Sequence, residues 1–181
     1  MARLCCDIGY FSCVQLLFIR HNLLIDNGIC FLKGIIHEDE LFTPLVYLRA
    51  ERAAHLHRTL YFKRTRPGSI ITENVSVKSL KGSYAVIKVL HEELKKYPSG
   101  SIEKRALMLA MRTKANNIIV TYAHFNKEQR KETAHIFDEC LSIFKKDKYY
   151  EGRRLRLSVR FFRLSSFYIT KLRPIVKSFK K

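Results

Sequence analysis

Residues 83–124 read SYAVIKVLHEELKKYPSGSIEKRALMLAMRTKANNIIVTYAH, and the spacing of their apolar positions decides the fold. Ser83, Val86, Leu90, Leu94 and Tyr97 recur at steps of 3, 4, 4 and 3, which is the period of one helix face. Pro98-Ser99-Gly100 ends that helix, and Ser101 stands where an N-cap would open a second one running to about Ala123. Leu107, Ala110, Met111, Ile118 and Tyr122 share a face of this second helix. Asn126, with Gln129 three residues on, fits a capping box for a third helix carrying Ala134, Phe137, Leu141 and Phe144. A fourth helical stretch, about 153–170, alternates basic and apolar residues in RRLRLSVRFFRL. Residues 74–181 therefore read as a basic bundle of three to four helices.

Upstream the pattern changes. An apolar run, VQLLFI, leads to the turn signal Asn27-Gly28, and ICFL after it reads as a short strand. EDELFTPLVYLRAERA, residues 38–53, reads as a helix with Leu41, Leu45, Leu48 and Ala53 on its apolar side. Pro44 must fall in the first turn or two, where a missing N–H is cheap. LHRTLYFKR, residues 56–64, reads as a strand around Leu60, Tyr61 and Phe62, followed by the turn Arg66-Pro67-Gly68-Ser69. The expected class is mixed α/β, mainly helical: residues 1–73 with a few short strands and one to two helices, then the bundle.

Composition narrows the function classes. Apolar residues make up 47% of the 181, so the chain can bury a core and is not of disordered type. Seven Gly, four Pro and no Trp argue against a turn-rich all-β protein. The five cysteines, Cys5, Cys6, Cys13, Cys30 and Cys140, are odd in number and lack zinc spacing, which suits buried or free thiols in a reducing cytoplasm. No run is long and apolar enough to span a membrane. MARLCCDIGYFSCVQLLFI is interrupted by Asp7 and Gln15, and its early Arg3 makes a poor signal-peptide start, so it reads as core sequence.

Charge raises the functional question. There are 34 Lys and Arg against 16 Asp and Glu, a net +18, yet three acids crowd behind a histidine in GIIHEDELFTPL, residues 34–45. Two readings stay open. Glu38, Asp39 and Glu40 in a first helical turn gain about 0.3–1 kcal/mol each from the helix dipole. Alternatively, an acid at a helix start followed by an Arg-rich turn suits transfer from a phosphate-bearing donor. A carboxylate takes the acceptor's proton, and Arg64, Arg66 and Ser69 converge on phosphate.

These residues also carry a resemblance. NLLIDNGICFLKGIIHEDELFTPLVYLRAERA, residues 22–53, followed by LYFKRTRPGSIIT, residues 60–72, resembles the second half of bacterial family 2 glycosyltransferases. The likeness covers about residues 14–72. It implies a GT-A fold and transfer of a sugar from a nucleotide-sugar to a glycan acceptor hydroxyl, with Mn2+ or Mg2+ in the complete enzyme. It also implies Asp39 as catalytic base with Glu38 beside it, and His37, Arg64, Arg66 and Ser69 as donor-diphosphate or substrate-binding residues. The chain departs from the family in having no Asp-x-Asp; its aspartates are Asp7, Asp26, Asp39, Asp138 and Asp147. The expectation is therefore an acceptor half from a truncated or split reading frame, without a cofactor of its own and inactive alone. Self-association is expected through the face that a missing half would cover.

From Lys148 onward eleven Lys and Arg face one acid, Glu151, and this tail supplies +10 of the charge. Arg153, Arg154, Arg156, Arg160 and Arg163 lie among Leu155, Leu157, Val159, Phe161, Phe162 and Leu164. They read as a solvated basic face, or as a helix lying on anionic lipid at the inner membrane face. Nucleic acid ranks third as a partner, because no recognised motif accompanies the basic and aromatic residues.

Overall fold

The computed structural model describes residues 12–62, 64, 75–147, 162, 166 and 170. Among the described residues a short 3-10 turn at Val14–Leu16 is followed by the α-helices α1 His21–Asp26, α2 Asp39–Arg49, α3 Val77–Leu94, α4 Ile102–His124 and α5 Lys127–Asp147. Their ends are set by local chemistry. Ser76 Oγ accepts from the Ser79 N–H at 3.1 Å, and Ser101 Oγ accepts from the Lys104 N–H at 3.2 Å. The Asn126–Gln129 box is reciprocal: Gln129 N–H donates to Asn126 Oδ1 at 2.9 Å, and Asn126 N–H donates to Gln129 Oε1 at 3.1 Å.

The core lies between α3, α4 and α5, with Leu41 of α2 joining it. Val86, Ile87, Leu90 and Leu94 come from α3, Ala110, Met111 and Ile118 from α4, and Phe144 from α5, all fully buried. Burying each large side chain contributes about 1.5–3 kcal/mol. A second cluster joins Ile29, Phe42 and Val46, with Leu23 and Leu24 of α1 packed on it. Phe162 extends the aromatic edge of the bundle, packing on Tyr122 and Phe137 with ring centroids at 5.6 and 4.6 Å. Apart from residues 162, 166 and 170, the fourth helical stretch falls outside the described residues, as does the stretch around position 73.

The expected strands are overturned. Among the described residues there is no strand or sheet, so this part of the chain is not mixed α/β and shows no GT-A strands. The reason at residues 27–32 is that Asn27-Gly28 closes a helix instead of a hairpin. Gly28, at φ +60°, donates to the Ile25 carbonyl, and Ile29 donates back to the Leu24 carbonyl, both within α1. The apolar residues that follow pack on α2: Ile29 enters its cluster and Phe31 stacks on Phe42 at 4.3 Å. In the 56–62 stretch Leu56, Leu60, Tyr61 and Phe62 are exposed and meet no partner strand among the described residues. A strand without a ladder has nowhere to put its backbone hydrogen bonds except water.

One glycine sets where the 34–40 segment runs. A Cβ on Gly82, inside α3, would stand 2.8 Å from the Ile36 carbonyl oxygen. The loop before α2 therefore lies directly on the α3 backbone. In an open helix, Gly→Ala gains about 0.5–1 kcal/mol. Here the obstructing atom is backbone, so the sign reverses. Gly82→Ala is expected to lower stability by about 1–3 kcal/mol in urea unfolding, as overpacking does. An unchanged or raised midpoint would show that the loop yields freely.

Candidate functional site

The acidic phrase sits where that loop meets the bundle. Ile35 and Ile36 pass over α3, His37 takes a left-handed backbone at φ +65°, and Glu38 opens α2. A non-glycine residue in that region costs free energy and is held there by its surroundings. Glu38 makes no side-chain cap hydrogen bond, although its carbonyl accepts from the N–H of Phe42 at 3.1 Å. Asp39 and Glu40 occupy the first turn. The acids thus stand in the dipole's favourable zone, as helix-start electrostatics expects, without capping through Glu38's side chain.

What the sequence reading did not name is Lys114. It projects from the middle of α4 with 1% of its surface exposed, and its ammonium pairs with the Glu40 carboxylate. Beyond that ion pair, Nζ has no hydrogen-bond partner among the described residues. Thr43, one turn along α2, is likewise fully buried with an unpartnered hydroxyl. Lys114 was visible in register: it continues the Leu107, Met111, Ile118, Tyr122 face at helical spacing. A lysine in an apolar stripe is the signal; its partner, on another helix, is not readable from spacing.

The cluster shifts its own acidity. Burial raises the Asp39 carboxyl above its ordinary value and Glu38 adds to this, while His37, Lys114 and the Asp39 backbone N–H oppose. Burial lowers His37, with Lys114 acting the same way and Asp39 and Glu38 opposing. Burial pulls Lys114 down to about 8, against the raising effect of Asp39. Four groups from one loop, one helix start and one buried helix position thus form a coupled centre.

The far end of α2 is tied down separately. Arg49 donates to Glu93 and to the Tyr97 hydroxyl, Tyr97 donates to Glu93 at 3.2 Å, and Lys96 donates to it at 2.7 Å. Burial pushes the Glu93 carboxyl up, but the hydrogen bonds from Lys96 and Arg49 outweigh it and hold the group below its ordinary value. Both ends of α2 are therefore pinned by charge, with Leu41 and Val46 buried between them.

Of the residues expected at the site, His37, Glu38 and Asp39 are together. Arg64 is exposed, and among the described residues no hydrogen bond or ion pair joins it to His37–Glu40. Arg66, Ser69, Arg153, Arg154, Arg156, Arg160 and Arg163 lie outside the described residues. No group of three or more His, Cys, Asp or Glu among the described residues is arranged to hold a metal ion. The α2 start places an ammonium against its carboxylates, a donor set that does not fit Mn2+ or Mg2+. Cys140 is buried and its thiol is pushed up to about 12, which makes it a packing residue at neutral pH. Among the described residues no helix is long and apolar enough to cross a membrane.

No protein-family model, curated protein or solved structure matches this chain.

Proposed function

We propose that this chain carries the acceptor side of a sugar-transfer centre of the family 2 type, with Asp39 as general base. The observation that carries the reading is the placement of Asp39: half-buried at a helix start, its carboxyl raised by burial and by Glu38. A base works best when its acidity approaches the working pH while it remains ionised. Asp39 would accept the proton of an acceptor hydroxyl as that oxygen bonds to the anomeric carbon and the nucleoside diphosphate departs with the bonding pair. Glu38, exposed beside it, would hydrogen-bond a neighbouring hydroxyl of the acceptor. The donor-binding function would be supplied elsewhere, since the sequence holds no Asp-x-Asp.

The test is binding, which does not need the donor. A panel of oligosaccharides and lipid-linked glycans, probed by saturation-transfer NMR, should yield an acceptor class that binds. Asp39→Asn should weaken it roughly tenfold or more, since a hydrogen bond to a charged group contributes about 1.5–3 kcal/mol. Circular dichroism should remain unchanged. If no glycan binds, or if Asp39→Asn binds as well as the parent, the base assignment fails.

The second reading, a basic module that docks on an anionic membrane surface, draws on the +18 charge. It does not draw on Phe162, whose ring is occupied by Tyr122 and Phe137.

A further inference from the structure

Lys114 has no part in the motif that suggested a site, yet its position gives it one. It is buried, it sits on a helix 74 residues downstream of Glu40, and it ends on the first turn of α2. Solvation of an ammonium is worth so much that a buried lysine is retained only where something holds it. Apolar packing does not require it, because a methionine would fill the same stripe beside Met111 and Ile118.

We propose that Lys114 is the positioning residue of the acidic centre, gripping Glu40 from beneath and fixing the turn that presents Asp39 and His37. The inference rests on the acceptor-side reading only for what Asp39 is presented to; the electrostatic link stands apart from it. The geometry supplies three supports. Gly82 lets the His37 loop lie on α3, Lys114 holds the α2 start against α4, and Arg49 fixes the opposite end of α2 on Glu93. The charged groups acting on Asp39 are then Glu38 at the N-cap, His37 in the loop and Lys114 from α4. The charged contact described between α3 and α2 is at Arg49, ten residues along.

A plug and a positioning residue differ in what they do to their neighbours' titrations. Carbon-13 NMR of the carboxyl and imidazole signals reads both Asp39 and His37. In Lys114→Met, loss of the cation should move both titrations upward, and Lys114→Arg should return them toward the parent values. If Lys114→Met folds and both groups titrate as in the parent, Lys114 is a packing residue and the proposal is overturned. If Lys114→Met does not fold, Glu40→Gln takes its place: amide hydrogen exchange in Asp39–Thr43 should quicken at least tenfold relative to the middle of α3. Unchanged protection there would overturn the proposal as well. Neither readout involves a glycan, so absence of acceptor binding would count against the base assignment and leave this result standing.

Discussion

Glu40→Ala should destabilise the protein by about 1–2 kcal/mol at pH 7, measured by urea unfolding, because it removes the carboxylate paired with Lys114, leaves Asp39 to favour the ammonium, and drives Lys114, already down at about 8, toward its neutral form. One other loss in the same substitution is smaller: the helix-dipole contribution of one partly exposed acid is about 0.3–1 kcal/mol. The ion pair decides the magnitude. Replacing both partners, as Glu40→Gln with Lys114→Met, should recover most of the loss, since the second change removes the charge the first one strands.

The pH dependence has a definite sign. The folded-state value of Lys114, about 8, lies below the unfolded 10.5, so between them the unfolded chain binds the extra proton. Stability attributable to this group must therefore rise with pH across that window. The penalty is fully present below about pH 8 and is relieved toward 10.5; it corresponds to about 3 kcal/mol. Loss of repulsion among the other basic groups also favours the folded state as pH rises. The quantity to follow is consequently the difference between the parent and Lys114→Met. That difference should narrow from pH 8 to 10.5. A flat difference would mean that Lys114 carries no charge penalty.

Phe137→Ala should cost about 3–5 kcal/mol and lower the melting temperature by about 10 °C. Phe137 is 4% exposed, stacks on Tyr122 with centroids 3.9 Å apart and receives the edge of Phe162. Removing the ring opens a cavity at the α4–α5 seam and takes away the seat of Phe162 together. Phe162→Ala, at a half-buried position, should cost about half as much or less. Calorimetric melts of the two variants distinguish the cases. Equal losses would place Phe162 as deep in the core as Phe137, and losses under about 1 kcal/mol for both would mean that the aromatic cluster is ornamental.

The helices from 77 onward were legible because their signals are local. Period, Ser101 and the Asn126–Gln129 box each act within a few residues, and the structure uses all three. The strands failed because strandness is not local. ICFL is too short to separate a strand from apolar coil, and Asn-Gly serves a helix end as readily as a hairpin. The observed choice depends on α2 being there for Ile29 and Phe31 to lie against. At the site, His37, Glu38 and Asp39 were found together because they are neighbours in sequence. Lys114 was written in register on α4, but nothing in spacing says that Glu40 waits opposite it. The Gly82–Ile36 approach, which decides where the acidic loop rests, leaves no trace in periodicity.

Lys114 also gives the molecule a clock. Lys33, Lys78, Lys81, Lys88, Lys95, Lys96, Lys104, Lys127, Lys131 and Lys145 are at least partly open to solvent. An amine-directed acylating reagent therefore modifies them at rates set by surface chemistry. Lys114 can react only during the intervals when α2 lifts from α4, so its acylation counts those openings one by one. A single mass-spectrometric peptide would then time the breathing of the bundle, with the rest of the chain as its internal reference.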